Sequence, residues 1–287
     1  MKKWRKFKQK MSKKWKSFKN WLKDQSFYLN RFLSSATRQL FQLMSTTVKI
    51  AALAVIMMFS ALGANKYHLK YLESYVGDNV VYIEAAPDAQ IRGSGTGFQM
   101  QTPSGKVITV TNAHICEMAN SKGELMLMEK RYSKRLVPKK VIEVFKDNDL
   151  CVVEGLAGYE GLKLGSKPEV GQPVWSLGHP LGQSLHISDG RIKDFGKTWI
   201  MDEIPLEQCN SSRHQIKEVM FFFFPVKVCL KSYESAYTSL VIYGGNSGSP
   251  MVDMWGRVVG VIFAGNVRTN WGSSVIHQDL ENLLKAY

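Results

Sequence analysis

From about Tyr75 to its C-terminus the sequence predicts an all-β protein, a sandwich or barrel of short strands. Two observations carry this. Runs rich in Val, Ile and aromatic residues recur along the chain: VVYIEA, KVITVT, KKVIEVF, LCVVEG, PVWSLG, EVMFFFFPVKV, TSLVIY and RVVGVIFAG. Gly, Pro and Asn separate them, and these residues supply the backbone angles that turns require. With 287 residues the chain can bury a substantial core, as one large domain or two small ones, and it has no internal repeat. The last stretch, His277 to Tyr287, breaks the pattern. Leu280, Leu283 and Leu284 recur at helical spacing and predict one C-terminal helix packed on the β body.

The region before Tyr75 is of a different kind. The formal net charge is +14, yet residues 1–47 hold thirteen Lys/Arg and a single acid, Asp24. That arm carries +12, which leaves +2 for residues 48–287 and makes the body nearly neutral. Attraction of the whole protein to nucleic acid is thereby excluded as the leading reading. Within the arm, Trp4, Phe7, Met11, Trp15, Phe18 and Leu22 recur every three or four residues with lysines between them. One apolar stripe on a basic helix suits the surface of an anionic membrane, and nucleic-acid binding by the arm is the weaker alternative.

An apolar run from Ile50 to Ala64 follows, bordered by Lys49 and Lys66. As a helix it spans about 22 Å, short of the roughly 30 Å hydrocarbon core, but Leu40, Phe41, Leu43 and Met44 extend the apolar character upstream. The reading is a basic cytoplasmic arm over 1–47, a transmembrane or signal-anchor helix over 48–65, and a folded domain over 66–287. The positive charges before the segment place the N-terminus in the cytoplasm and the domain outside. The alternative is secretion after cleavage near the small residues Ala61-Leu62-Gly63.

Three stretches of the body carry candidate chemistry. In YGGNSGSPMV, Ser247 sits in a glycine-rich turn entered from a strand. Gly244 and Gly245 let the backbone approach a substrate carbonyl, and the N–H groups of Gly245 and Ser247 can converge as an oxyanion hole. In TNAH, His114 ends a strand; alone it reads as a satisfied structural histidine. In DNDLCVV, Asp149 precedes an apolar run; alone it reads as a turn acid. Together they meet the needs of serine attack on an amide: a nucleophile, a general base, and an acid that fixes the base's tautomer. Their order is His, Asp, Ser. His114 and Asp149 lie 35 residues apart, within reach of one barrel, and Ser247 lies 98 residues further on, in a second.

These segments resemble trypsin-like serine proteases of the chymotrypsin fold, in particular the bacterial HtrA-like branch. GSGTGF opens a hairpin, TNAH surrounds the histidine, DNDLCVV the aspartate and GGNSGSPMVDMWGRVVGV the serine; VGQPVWSLGHPLGQSLHISDGRI is similar to the branch's stretch between the last two. The match spans about residues 75–275. It implies a double six-stranded-type β-barrel, with His114 as general base, Asp149 as its orienting partner, Ser247 as nucleophile, and no cofactor or metal. It also implies a protein or peptide substrate. Val241, Phe263, Ala264, Gly265 and Ser273, with Gly272 and Ser274, would wall the primary pocket. No acid is among them, which points to a small or medium apolar residue before the scissile bond. Oligomer assembly is a trait of the branch, and its PDZ modules have no counterpart in this sequence.

Some residues depart from the pattern. Ser249 stands where the family usually has a second glycine, and the segment from Gly196 to Tyr243 has no alignable counterpart. Ser249 leaves room for a second reading, a weak or inactive protease-fold module that binds proteins at the membrane. Cys209 and Cys229 are a plausible bridge in the unaligned segment, whereas Cys116 and Cys151, which flank the histidine and aspartate, read as buried free thiols. The other histidines, His68, His179, His186, His214 and His277, show no metal-ligand spacing.

Overall fold

The computed structural model describes residues 65–86, 93–128, 135–202, 204–221, 224–266 and 271–287. The arm over 1–47 and the anchor over 48–65, apart from Asn65, fall outside them. Among the described residues no helix is long and apolar enough to cross a membrane. All the described strands belong to the unit His68–Tyr287.

The first half of that unit is a closed barrel. Its strands are β1 (Val80–Ala85), β2 (Gly93–Gln101), β3 (Val107–Thr111), β4 (Glu124–Met128), β5 (Leu136–Phe145) and β6 (Leu150–Glu154), in the order β1-β2-β3-β6-β5-β4. The second half is a seven-stranded sheet. It contains β7 (Pro173–Gly178), β8 (His186–Asp202), β9 (His214–Phe221), β10 (Phe224–Thr238), β11 (Pro250–Val252), β12 (Val258–Asn266) and β13 (Trp271–Val275). The order is β13-β12-β11-β7-β8-β10-β9, and a further pairing of β13 with β10 joins six of these strands in a ring. Strand β9 hangs outside it on β10.

Alternation decides which face of each strand is buried. In β1 and β4 every second side chain points inward, and Val81, Ile83, Leu125 and Leu127 form a first-barrel core with Val153. A larger cluster joins the two halves: Phe98, Met100, Val110 and Val152 from the first meet Val252, Val258, Val261 and Val275 from the second. The predicted C-terminal helix, His277–Lys285, lays Leu280, Leu283 and Leu284 on that same cluster.

Three expectations are corrected. TSLVIY is not a strand. Past Thr238 the chain leaves β10, and the N–H groups of Leu240 and Val241 donate to the hydroxyls of Thr238 and Ser188 instead of a ladder. EVMFFFFPVKV is two strands, because β9 and β10 pair through its middle from Phe221↔Phe224 onward. The unaligned segment is largely the resulting hairpin, with its base tied by the Cys209–Cys229 disulfide. Finally, Cys116 and Cys151 are not free thiols: they form a disulfide, because the pairing of Thr111 with Cys151 brings the turn after β3 over the start of β6.

Candidate active site

Strand β3 ends at Thr111. Asn112 keeps an extended backbone, and Ala113–Cys116 form one helical turn. A helix start leaves N–H groups without partners, and here the partner comes from elsewhere in the chain. The carboxylate of Asp149 accepts the backbone N–H of His114 at 3.1 Å. Both of its oxygens lie 3.0 Å from His114 Nδ1. A carboxylate facing Nδ1 favours the proton there, so the lone pair is on Nε2, turned away from Asp149.

Asp149 is 5% exposed, whereas the His114 side chain is 42% exposed. The acid is therefore shielded and its partner open to a substrate. Asp149 also adopts a left-handed backbone conformation, φ 49°, which Asp tolerates better than most residues. Asn112, itself fully buried, donates its side-chain amide to the Asp149 carbonyl at 2.9 Å and so fixes that turn.

Ser247 lies on the irregular stretch between β10 and β11. Gly245 and Gly248 flank it with φ of 88° and 85°, the region glycine enters without strain. Space demands glycine as well. A Cβ at Gly245 would stand 2.7 Å from the backbone of His179 and Leu181, and one at Gly248 would stand 2.0 Å from the Thr96 carbonyl. Leu181 donates to the carbonyl of Gly244, and Ser249 to that of Asn246. Across a trans peptide the N–H points opposite to the carbonyl. The N–H groups of Gly245 and Ser247 therefore face away from those contacts, and neither has an acceptor among the described residues.

Thr96, in the GSGTGF segment, connects the serine turn to the first barrel. Its N–H donates to the Ser247 carbonyl at 2.8 Å, and its hydroxyl donates to that of Gly245 at 2.8 Å. The same hydroxyl accepts the N–H of His179, and the Thr96 carbonyl accepts the hydroxyl of Thr111. Beside it, a Cβ at Gly95 would be 2.8 Å from Ile115 and 3.4 Å from the Ser247 carbonyl. The histidine turn and the serine turn thus approach each other across Gly95. Among the described residues no hydrogen bond joins His114 to the Ser247 hydroxyl; such contacts often tighten only with substrate bound. Sequence reasoning missed Thr96, although the motif containing it was visible.

The residues expected to wall a pocket are less open than anticipated. Ser273 is fully buried, with its hydroxyl 2.8 Å from that of Thr198. Phe263 is 5% exposed and packs on Tyr233, 5.6 Å between ring centroids. Val241 and Ala264 are half-buried, and Gly265 is exposed. Burial first, and then the nearby Asp149 carboxylate, push the Tyr233 phenol well above its ordinary pKa. Of the other histidines, His68, His179 and His277 bond backbone carbonyls and His214 bonds Asp202.

A closed six-stranded barrel beside a second β sheet, with a histidine held by a buried aspartate on one and a glycine-flanked serine turn on the other, defines the architecture of trypsin-like peptidases. The family model for the trypsin-like peptidase domain matches residues 95–261, more than half of the chain, and the chain belongs to that family. Solved structures agree on the fold. The active form of the Rv3671c protease from M. tuberculosis is similar at 20% identity with a TM-score of 0.56, over 75% of this chain and 82% of that one. The inactive form of that protease matches at 18% identity and a TM-score of 0.52, over 75% and 91%. The serine endoprotease from Yersinia pestis matches at 15% identity and a TM-score of 0.54, over 76% and 65%. At these identities the likeness establishes the fold, and the expectation of a trypsin-like serine protease holds.

Proposed function

We propose that the protein is a serine endopeptidase working through His114, Asp149 and Ser247. The observation that carries this is the Asp149 carboxylate, which holds both the backbone N–H and Nδ1 of His114 while Nε2 stays open. A histidine serving only as structure has no need of a buried acid that sets its tautomer. In the mechanism, Nε2 takes the Ser247 proton as the hydroxyl attacks a substrate carbonyl. The N–H groups of Gly245 and Ser247 receive the oxyanion. The imidazolium, stabilised by Asp149, protonates the leaving amine, and water activated by the same Nε2 releases the acyl-enzyme. Ser249 does not argue for the inactive module, since its hydroxyl occupies space left by Gly178, where a Cβ would stand 2.0 Å from it.

The test is a fluorophosphonate probe applied to the full chain in detergent, beside Ser247→Ala. Labelling of the wild type alone supports the reading; a folded wild type that stays unlabelled favours the binding module. We read residues 48–65 as an anchor that holds the domain outside the cytoplasmic membrane. Support comes from the apolar run and the thirteen basic residues before it. Retention in the membrane pellet at alkaline pH, with the domain digestible from outside intact cells, is the expected result. Release by alkali would favour the secreted form.

A further inference from the structure

Strands β12 and β13 place two glycines directly opposite each other, Gly265 and Gly272. Such a pair removes both side chains from one patch of sheet and leaves a groove there. Ile242 fills it. A Cβ at Gly265 would stand 2.3 Å from Ile242 Cβ, and one at Gly272 would stand 2.8 Å from Ile242 Cγ1. Ile242 is 5% exposed, and below the groove it joins the second-barrel core with Leu240, Met251 and Ile262.

The groove adjoins the serine turn. Ile242 is five residues before Ser247 on the same irregular stretch. Gly248, immediately after the serine, donates its N–H to the carbonyl of Ile262 on β12. Gly265 is three residues further along that strand, about 10 Å away at the rise of a strand. A substrate whose carbonyl rests on the N–H groups of Gly245 and Ser247 has its own acyl-side side chain within reach of this opening.

Resting on the peptidase reading above, we propose that Ile242 is the specificity-determining residue of the site. By occupying the groove between Gly265 and Gly272, it restricts the residue before the scissile bond to glycine, alanine or serine. Side chains of leucine or phenylalanine size have no volume to enter. Phe263, packed on Tyr233, and Ser273, bonded to Thr198, are turned to other partners, whereas Ile242 is the side chain against both glycines.

The experiment compares the full chain with Ile242→Ala and with Ile242→Val, which keeps most of the core volume if the alanine variant folds poorly. Fluorophosphonate labelling establishes that Ser247 is active in each protein. A peptide library varied at the residue before the scissile bond then reads specificity. The expected result is wild-type kcat/KM at least about 10-fold higher for alanine than for leucine or phenylalanine. Shortening Ile242 should raise the larger residues about 10-fold or more relative to alanine, with valine shifting the profile in the same direction by less. A labelled wild type that cleaves readily after leucine or phenylalanine overturns the proposal, as does an unchanged profile in folded, labelled variants. Absence of labelling in all three proteins would instead count against the peptidase reading.

Discussion

Cys116 lies two residues after His114, Cys151 lies two residues after Asp149, and a disulfide joins the two cysteines. The covalent link therefore runs alongside the 3.0 Å contact between imidazole and carboxylate. It closes a loop of 35 residues that includes β4 and β5. Both sulfurs are buried in the first-barrel core. Cross-links of this length typically stabilise by roughly 2–4 kcal/mol, chiefly by restricting the unfolded chain. The paired variant Cys116→Ser with Cys151→Ser should lower the Tm by about 5–15 °C in a thermal melt. Wild type melted in dithiothreitol, which also opens Cys209–Cys229, should fall at least as far. A melt unchanged by either treatment would mean that packing alone holds the His114 turn to β6.

Asp149 is a sharper target than the disulfide. Replacement by Asn keeps the size of the side chain and the acceptor for the His114 N–H, but its amide would donate to Nδ1. The proton then moves to Nε2, where no lone pair remains to accept from Ser247. Asp149→Asn should reduce kcat by about 10⁴-fold with little change in KM or Tm. A loss of only a few-fold, measured on the best substrate at saturating concentration, would remove Asp149 from the mechanism.

How far the site was legible in the sequence follows from how local each signal is. His114, Asp149 and Ser247 stand in short stretches where a strand end, an acid before an apolar run and a glycine turn are all visible. The all-β class came from the same kind of signal, since alternation and turn residues act over fewer than ten positions. Thr96 was not legible as a hub, because its partners at positions 111, 179, 245 and 247 are distant in sequence. Ile242 looked like strand, as any apolar residue in TSLVIY does; only the facing of Gly265 and Gly272 reveals what it fills. Strand β8 escaped notice because only Ser188, Ile192 and Thr198 of its seventeen residues are buried, and charged residues and glycines break up its apolar ones. The cysteines misled for a related reason: their positions matched the spacing of the His–Asp pair, and nothing in either segment alone implied a bond.

Gly245 offers a test that separates the oxyanion site from the fold. Alanine there meets the backbone of His179 and Leu181 at 2.7 Å and must also hold φ at 88°, so the peptide carrying the Gly245 N–H has to turn. Gly248 is tighter, with the Thr96 carbonyl only 2.0 Å from a Cβ. Gly245→Ala should remain folded while kcat falls about 10²–10³-fold, the effect of losing one oxyanion donor. Gly248→Ala should fail to accumulate as folded protein. Circular dichroism with a single-turnover assay distinguishes these. Normal turnover by Gly245→Ala would show that its N–H receives no charge in the transition state.

The β9–β10 hairpin, which no family motif explained, contacts the aspartate turn directly. Arg213 Nη1 donates to the Asp147 carbonyl at 2.9 Å, and Lys231 Nζ donates to the Lys146 carbonyl at 2.9 Å. Both cations also approach the Asp147 carboxylate, at 3.9 and 3.8 Å. These carbonyls stand two and three residues before Asp149, in the turn that ends with its left-handed backbone. The Lys231 side chain is only 13% exposed, whereas Arg213 is half exposed, and surface pairs of that kind contribute about 0–1 kcal/mol. Removing Arg213 should therefore change the Tm little. Loss of both donors leaves the Asp149 turn free to shift, and misplacement by about 1 Å in an active site can cost about 100-fold in rate. Arg213→Ala combined with Lys231→Ala should lower kcat by about 10–100-fold at nearly constant KM, and Arg213→Lys should restore part of it. A rise in KM at unchanged kcat would instead assign the hairpin to substrate binding and leave the Asp149 turn held by Asn112 and the disulfide alone.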